Sequence, residues 1–292
     1  IMKCYVLYNP AAGRGEAKAE AERLSSMITD GELVYEDLTT YDEGIDELLS
    51  RLEREDKIIL CGGDGTLNRF VNKLAGKNVQ NEILYFACGS GNDFLRDVKE
   101  NEVAITATGE DGAMLVDMTP YIQKLPQVKV EGKSYYFLNG VGYGIDGYCC
   151  EVGDELRKKT EKPINYAGIA IKGLLFHYKP TQATVIVDGK EYSFKNVWLA
   201  PTMNGKYYGG GMIPAPEQRR ENDDISVMVF HGKSKLKTLM IFPSLFKGEH
   251  VKKTKNVSVF SGKEITVKFN EPRTLQIDGE TVIGVTEYTA RK

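Results

Sequence analysis

The chain has 292 residues, of which 41% are hydrophobic and 27% are charged, and its formal net charge is −3 at pH 7. A chain of this length and composition is expected to be a soluble globular protein with two hydrophobic cores, and therefore two domains. The charge balance excludes a nucleic-acid-binding surface spread over the whole protein, although it leaves room for a local basic patch.

The cysteines and histidines indicate neither a zinc site nor a disulfide framework. The chain has five cysteines, an odd number without a Cys-x-x-Cys pair, and its three histidines stand far apart in the sequence. This usage is typical of a reducing cytosol. The segment before Asn9 has too few consecutive apolar residues for a signal peptide or a membrane span, so we expect a cytoplasmic protein.

Strands and helices alternate over the first hundred residues. An apolar run at 3–8 is followed by a glycine loop and strong helix formers, and strand-then-helix patterns recur at 32–56, 57–76 and 83–98. This alternation predicts a mostly parallel sheet with helices on both faces. In the third pattern, four apolar residues fall on one helical face, namely Leu67, Phe70, Val71 and Leu74.

Three of these strands run directly into glycine-containing loops. The loops are NPAAGRG, GGDGT and GSGNDF, and each occupies the same position between a strand and a helix. In sheets of this type ligands bind at the carboxyl ends of the strands. We therefore expect all three loops to line one binding site.

The central loop, Gly62-Gly63-Asp64-Gly65-Thr66, has two interpretations. As a phosphate site, its backbone N–H groups and the positive end of the next helix would hold a polyphosphate, which glycines allow to approach closely. Asp64 would then orient Mg²⁺ or a hydrogen-bond network around the transferring phosphate. As a structural turn, the glycines only permit tight geometry and Thr66 caps the helix. These five residues alone do not distinguish the two interpretations.

Beyond about residue 120 the pattern changes to short alternating or β-branched runs separated by glycine turns. This pattern predicts an antiparallel β-sandwich, interrupted by helical segments at 164–178 and 235–248. We therefore expect an α/β domain at 1–120 and a β-sandwich domain at 121–292, with a return of the C-terminal end to the first domain left open. The segment GYGIDG matches G-x-G-x-x-G, but no acidic residue closes a βαβ unit after it, so a dinucleotide site is not expected there.

The order and spacing of six motifs resemble those of the diacylglycerol kinase catalytic-domain family, which includes bacterial lipid kinases and sphingosine kinases. The motifs are NPAAG, GGDGTLN, GSGNDFLR, NGVGYGID, GGGMIPAP and IDGE. The resemblance covers nearly the whole chain. It implies an α/β nucleotide-binding domain similar to those of NAD kinases and phosphofructokinases, and a β-sandwich domain that helps to hold the lipid. It also implies ATP with Mg²⁺ as phosphate donor and a hydroxyl of diacylglycerol or a related lipid as acceptor.

The resemblance assigns nucleotide binding to residues in four segments. They are Asn9, Pro10, Ala11, Ala12, Gly13, Thr40, Gly62, Gly63, Asp64, Gly65, Thr66, Leu67, Asn68, Ser90 and Asn92. The match at Thr40 could equally belong to Thr39.

The resemblance also implies a catalytic carboxylate near the C-terminus, in addition to Asp64. The matching segment is Asp278-Gly279-Glu280, in which either acid could accept the proton of the lipid hydroxyl as it attacks the γ-phosphate. The same Asp-Gly pair occurs in VDGK at 187–190, which is most simply a type I′ hairpin turn. From the residues alone, IDGE is also a hairpin turn, and only the resemblance favours catalysis.

The chain departs from the family pattern at two places. Arg69 follows GGDGTLN where the family usually has Glu, and this added cation could hold phosphate or a lipid head group, or signal altered activity. A family Mg²⁺ site in the β domain, built around Asp-Gly, here reads Asn222-Asp223. If that metal site is kept, Asn222 and the carbonyl of Asp224 are its expected ligands, but a polar turn before a strand explains the segment equally well.

A basic segment at 231–255 carries seven lysines and one glutamate around the apolar sequence LMIF. Such a segment can rest on an anionic bilayer, or it can be a helix that packs on the sandwich with solvated lysines on its outer face. We expect a peripheral membrane protein with a lipid substrate and no nucleic-acid partner, and leave a homodimer open. The alternatives to a lipid kinase are an NAD kinase-like enzyme, because GGDGT is shared with that family, and a non-catalytic nucleotide or lipid binder.

Overall fold

The computed structural model describes residues 1–88 and 91–292, and of Gly13 and Arg14 it describes the backbone only. The chain divides into two compact units, Ile1–Gln123 and Lys124–Lys292. Each unit has its own sheet and its own hydrophobic core.

The first unit is built on a six-stranded sheet in the order β2-β1-β3-β4-β6-β5. Its strands are β1 (Lys3–Tyr8), β2 (Glu32–Asp37), β3 (Lys57–Gly62), β4 (Ile83–Ala87), β5 (Ile105–Thr108) and β6 (Met114–Asp117). Strands β1 to β4 pair with one another in parallel, and β6 is antiparallel to both β4 and β5. The predicted, mostly parallel sheet is confirmed.

Short helices follow each of the parallel strands β1 to β4 and the antiparallel strand β6. They are α1 (Ala17–Glu22), α2 (Asp46–Arg51), α3 (Asp64–Lys73), α4 (Asp93–Val98) and α5 (Thr119–Ile122), with 3₁₀ helices at Ala12–Gly15, Arg23–Ser26, Leu38–Tyr41 and Glu102–Ala104. The apolar face predicted for the third helix is confirmed, because Leu67, Phe70, Val71 and Leu74 are all buried. Burial of this face holds α3 on the sheet, so the loop before α3 has a fixed position.

The second unit is an antiparallel sheet that folds back on itself. Its strands are β7 (Gln127–Val130), β8 (Lys133–Tyr136), β9 (Gly140–Tyr143), β10 (Thr181–Val187), β11 (Lys190–Leu199), β12 (Thr202–Met203), β13 (Ile225–His231), β14 (Val257–Gly262), β15 (Glu264–Ile277) and β16 (Glu280–Arg291). The long strand β15 pairs with β10 through residues 265–269 and with β9 through 275–277, with irregular register between the two stretches. This bend encloses an apolar core, and the predicted β-sandwich is confirmed.

Helices pack on the outside of this sheet around the buried side chain of Trp198. They are α6 (Ile145–Arg157), α7 (Tyr166–Lys172), a π-helix (Gly173–His177), α8 (Lys235–Ile241) and 3₁₀ helices at Phe242–Phe246 and Glu249–Lys252. Both predicted helical segments are present. The second predicted segment is α-helical as far as Ile241 and continues as the 3₁₀ helix Phe242–Phe246, which contains Pro243. Proline lacks the N–H group that the interior of an α-helix needs.

The GYGIDG segment joins β9 to α6, and β9 pairs antiparallel with β12 and β15. These antiparallel pairings differ from the parallel pairing of a βαβ unit, on which a dinucleotide-binding fingerprint depends. The last glycine of GYGIDG has a packing role instead, because a Cβ at Gly147 would lie only 1.9 Å from the carbonyl oxygen of Thr274 on β15. Glycine at this position lets α6 lie directly against the strand.

We expect Gly147→Ala to lower the free energy of unfolding by at least about 2 kcal/mol, because the added methyl group forces α6 away from β15. Glu155→Ala, at an exposed position of the same helix, is the matched control. Thermal and denaturant unfolding would measure both variants, and equal stabilities would contradict the proposed packing.

Candidate active site

The three glycine loops meet at one edge of the first sheet. Strands β1, β3 and β4 are adjacent and parallel, so the chain leaves all three at the same edge, into the loops at 9–13 and 62–66 and, after β4, into a loop of which Cys88, Gly91 and Asn92 are described. The 3₁₀ helix that contains Thr40 follows β2 at this edge as well. The edge position predicted for these loops is confirmed, and their nucleotide binding remains a prediction.

The carboxylate of Asp64 joins two of these loops. Its Oδ2 accepts a hydrogen bond from the backbone N–H of Asp93 at 2.8 Å, and its Oδ1 accepts one from Phe94 at 3.0 Å. The backbone N–H of Asp64 in turn donates to the carbonyl oxygen of Gly91 at 2.8 Å. A residue in the first turn of α3 thus caps the first turn of α4, and the loops after β3 and β4 form one structural element.

Glycines allow these loops to approach so closely. A Cβ at Gly63 would lie 2.9 Å from the carbonyl oxygen of Gly91, and a Cβ at Gly62 would lie 2.7 Å from the Cβ of Thr66. The hydroxyl of Tyr85, which is fully buried in β4, donates to the carbonyl oxygen of Gly62 at 2.8 Å. Burial raises the pKa of Tyr85, so the phenol stays protonated as a donor.

The start of α3 leaves two N–H groups without partners. Among the described residues, the N–H of Leu67 donates to Gly63, whereas those of Gly65 and Thr66 make no hydrogen bond. Helix α3 has ten residues, and its amino end carries the partial positive charge of the helix dipole. Two unpaired N–H groups at the end of a helix are suited to bind an anion such as a phosphate.

The first loop is held by its own side chain. Asn9 Oδ1 accepts the backbone N–H of Ala11 at 3.0 Å, and the Asn9 carbonyl accepts that of Ala12, also at 3.0 Å. Pro10 and Ala11 are exposed at the loop tip. Asn9 therefore shapes the turn, and the peptide groups that follow it are the parts of this loop open to a ligand.

The remaining predicted nucleotide contacts lie in different surroundings. Thr40 is exposed, whereas the hydroxyl of Thr39 donates to Asp37 at 2.7 Å, so Thr40 is the better placed of the two threonines. Asn68 is buried within α3, and its side-chain oxygen accepts from Asn72 at 3.3 Å, while Arg69 is exposed on the same helix. Ser90 lies outside the described residues.

Asp278 lies in the hairpin turn between β15 and β16. Asp278 and Gly279 have positive φ angles of 49° and 92°, as the two central residues of a type I′ turn require. The Asp278 carboxylate reaches across to the start of β9 and the two residues before it, where it accepts the N–H groups of Leu138 at 2.6 Å, Asn139 at 2.8 Å and Gly140 at 3.1 Å. The motifs IDGE and NGVGYGID, far apart in the sequence, are therefore joined by this carboxylate.

The second Asp-Gly turn has the same design. Asp188 and Gly189 also have positive φ angles, of 48° and 83°. Asp188 Oδ1 accepts the N–H groups of Lys263 at 3.0 Å and Glu264 at 2.9 Å. Three backbone bonds at Asp278 and two at Asp188 show that both aspartates organise the backbone, whereas Glu280 follows the first turn with an exposed side chain.

A buried carboxyl group that the sequence did not single out lies beside this turn. Asp146, in the first turn of α6, is buried, and burial raises its pKa to about 6. It accepts a hydrogen bond from Gln276 Nε2 at 3.3 Å, and Gln276 Oε1 accepts the N–H of Gly279 at 2.8 Å. Gln276 therefore links Asp146 to the IDGE turn. Its position inside a G-x-G-x-x-G segment was the one signal in the sequence that marked Asp146.

The second unit has a cavity of about 400 Å³ near the start of α6. Its lining includes Tyr148, Glu151, Tyr178, Arg273 and Thr274. The Arg273 guanidinium lies 5.3 Å from the centre of the Tyr178 ring, and Thr274 donates a hydrogen bond to Glu151 at 2.5 Å. These polar and charged groups make the cavity unsuitable for an acyl chain.

The loop predicted to hold a metal has protein partners for some of its oxygen atoms, whereas the buried Oδ1 of Asp224 has no hydrogen-bond partner among the described residues. The carbonyl oxygen of Asp224 accepts from Gln218 Nε2 at 3.0 Å, and the carboxylate of Asp223 lies 3.4 Å from Lys124 Nζ. Asn222 is exposed. No group of three or more His, Cys, Asp or Glu suited to a metal occurs in the described parts of the chain.

Positive charge is concentrated at this loop. The buried Arg220 donates to the side-chain oxygen of Asn139 at 3.0 Å, and Lys292 Nζ donates to the carbonyl oxygen of Arg220 at 2.7 Å. Burial, together with the charges of Arg220 and Lys124, lowers the pKa of Lys292 to about 8. These positive charges oppose a divalent cation at the loop, whereas the unpartnered Oδ1 of Asp224 is suited to one, so metal binding by Asn222 and Asp224 stays an untested prediction.

None of the helices among residues 1–88 and 91–292 is both long and apolar enough to cross a lipid bilayer.

Comparison with known proteins matches both units to protein families. Residues 3–117 match the diacylglycerol kinase catalytic domain, and residues 139–290 match the YegS C-terminal NAD kinase beta sandwich-like domain. Together these matches cover most of the chain.

Individual relatives are distant but match along most of their length. "Putative lipid kinase YtlR" of Bacillus subtilis (strain 168) is 22% identical to this chain, over 97% of this chain and 94% of the relative. A diacylglycerol kinase of Mycobacterium tuberculosis (strain ATCC 25618 / H37Rv) is 24% identical, over 86% of this chain and 80% of the relative. The crystal structure of a diacylglycerol kinase from Bacillus anthracis str. Sterne shares the fold, with a TM-score of 0.61 at 17% identity over 100% of this chain and 94% of that one. The chain therefore belongs to the diacylglycerol kinase catalytic-domain family and is a lipid kinase.

Proposed function

We propose that the protein transfers the γ-phosphate of ATP to a hydroxyl group of diacylglycerol or a related lipid at the surface of a membrane. The observation that carries this proposal is the pair of unpartnered N–H groups at Gly65 and Thr66, at the sheet edge where the loops after β1, β3 and β4 meet. A helix amino end surrounded by glycine loops is a site for a polyphosphate.

The phosphate chain of ATP would lie across this edge. The N–H groups of Gly65 and Thr66 would hold phosphate oxygens, and the peptide groups after Asn9 would flank them. Asp64 would be a positioning residue, because its carboxylate accepts the N–H groups of Asp93 and Phe94 and so keeps the loops after β3 and β4 together. Mg²⁺ would arrive on the phosphates of ATP and neutralise part of their charge.

Glu280 is the better proton acceptor of the two acids in IDGE. The carboxylate of Asp278 already accepts three backbone N–H groups, whereas the side chain of Glu280 is exposed. In the proposed step a bond forms between the lipid hydroxyl oxygen and the γ-phosphorus, the bond to the bridging oxygen of ADP breaks, and the hydroxyl proton moves to Glu280. Asp278 is a positioning residue that fixes the turn.

The overall reaction can be tested with γ-labelled ATP, Mg²⁺ and mixed micelles of diacylglycerol, sphingosine or other lipids, with NAD in a parallel incubation. We expect label in a lipid. Label in NAD would favour the NAD kinase alternative, and nucleotide binding without transfer to any acceptor would favour a non-catalytic binder.

Substitutions in the two Asp-Gly turns separate catalysis from structure. We expect Glu280→Gln to lower kcat at least about 100-fold at unchanged stability, because the proton acceptor is lost. Asp278→Asn and Asp188→Asn should both lower the free energy of unfolding by about 1–3 kcal/mol, because each removes a charged acceptor of backbone N–H groups. Asp188→Asn is the matched control and should keep its kcat. A fully active Glu280→Gln enzyme would contradict the role of Glu280.

Asp64→Asn should lower turnover at least about 100-fold, because an amide cannot accept both N–H groups of α4 and the two loops separate. Asp117→Asn is the control, since Asp117 also accepts a backbone N–H, that of Thr119 at 2.9 Å, but lies at the end of the antiparallel strand β6. Steady-state kinetics with a correction for the folded fraction would compare them. Equal turnover in the two variants would remove Asp64 from the mechanism.

Removal of divalent cations should distinguish Mg²⁺ bound to the phosphates of ATP from a metal ion bound at the 218–224 loop. We expect EDTA to stop phosphate transfer, because transfer from ATP needs Mg²⁺. We expect it to change the Tm of the nucleotide-free protein by no more than about 1 °C, because lysine and arginine side chains hold the 218–224 loop without a metal ion. Thermal unfolding with and without Mg²⁺ checks this. A Tm that rises with Mg²⁺ and falls with EDTA would indicate a metal at that loop.

A further inference from the structure

Two helical segments of the second unit lie side by side on one surface. The inner sides of α7 and the π-helix, and those of α8 and the 3₁₀ helix after it, pack into the same buried cluster around Trp198. Lys235 Nζ in α8 also lies 3.4 Å from the carbonyl oxygen of Leu175 in the π-helix. Because their inner sides share one core and the segments touch, their outer sides form a continuous surface.

That outer surface is strongly apolar. Among the described residues, eleven large hydrophobic side chains are exposed, and six of them lie on these two short segments. They are Ile171, Leu175, Phe176, Leu236, Met240 and Phe246. Phe176, Leu236 and Met240 are each exposed by 70% or more. We name these six residues the apolar face. Contiguous exposed apolar groups of this kind mark interaction sites.

Exposed lysines lie on and beside the segments that carry the apolar face. Seven lysines and one glutamate lie between 231 and 255, and all seven lysines are exposed. Lys172 and Lys179 are exposed beside the other segment. This concentration of positive charge occurs in a chain whose net charge is −3.

We propose that the apolar face and its lysines dock the protein on an anionic lipid bilayer. The apolar side chains would enter the boundary between head groups and acyl chains, and the lysines would contact anionic head groups around them. A bilayer fits better than a protein, because lysine is depleted at protein interfaces. It also fits better than a second copy of the chain, because two such surfaces would bring lysines together. The proposal rests on the proposed function only in that a lipid kinase finds its acceptor in a membrane.

Sedimentation of the protein with vesicles tests the docking surface without nucleotide. The vesicles contain equal parts of phosphatidylglycerol and phosphatidylcholine, or phosphatidylcholine alone. We expect binding to the anionic vesicles that falls at least about tenfold in Phe176→Ser/Met240→Ser, because less apolar surface is buried. Lys235→Gln/Lys237→Gln should weaken binding roughly 20-fold at low salt and much less at high salt.

Matched controls are Ile283→Ser, an exposed apolar residue on β16, and Lys133→Gln, an exposed lysine on β8. Both should bind vesicles as the unmodified protein does, and circular dichroism would verify that every variant is folded. Phosphate transfer to a short-chain, monomeric diacylglycerol should be unchanged in all four variants. Loss of vesicle binding with this transfer intact supports the docking surface.

Three outcomes would overturn the proposal. They are no binding of the unmodified protein to anionic vesicles, equal binding by the unmodified protein and the variants, and a dimer that Phe176→Ser/Met240→Ser dissociates without a change in vesicle binding. Sedimentation velocity would detect the dimer. A protein that binds vesicles through the apolar face but transfers no phosphate would refute the proposed function and still support the docking surface.

Discussion

The proposed nucleotide site depends on one carboxylate that satisfies backbone donors from a different loop. Asp64 accepts the N–H groups of Asp93 and Phe94, and the peptide of Asp64 itself is bonded to Gly91. Because Asp64 occupies the first N–H groups of α4, those groups are not offered to a ligand. Within the described part of the chain, the N–H groups without a partner at the start of α3 are those of Gly65 and Thr66. One side chain thus joins two loops, and the amino end of α3 is left for the phosphate.

The second unit uses the same physical device at Asp188 and Asp278. In each case a type I′ turn projects a carboxylate onto the N–H groups of a neighbouring segment, where a charged acceptor makes stronger hydrogen bonds than a neutral one. In the IDGE turn Asp278 makes these backbone contacts, and Glu280 is the exposed acid. The loop for which the family pattern implies a metal is held in part by positive side chains. Lys124 contacts the Asp223 carboxylate and Lys292 donates to the carbonyl oxygen of Arg220, while Arg220 itself donates to the carbonyl oxygen of Leu138.

Short-range patterns in the sequence predicted the fold well. Alternating strands and helices gave the parallel sheet, and the spacing of Leu67, Phe70 and Val71 gave the buried face of α3. The contacts that define the site are long-range, such as Asp64 with Phe94 or Asp278 with Leu138, and no local propensity encodes them. For IDGE, the hairpin interpretation described the turn correctly, but it could not reveal the N–H groups that the aspartate holds.

The central claim is that the loops after β1, β3 and β4 bind one triphosphate together. Amide hydrogen exchange with and without ATP and Mg²⁺ tests it most directly, because protection is measured peptide by peptide. The account predicts slower exchange in all three loops, with the same dependence on ATP concentration, and no change at the Asp188 turn. Protection that is absent from these loops, or that appears in them at different ATP concentrations, would contradict it.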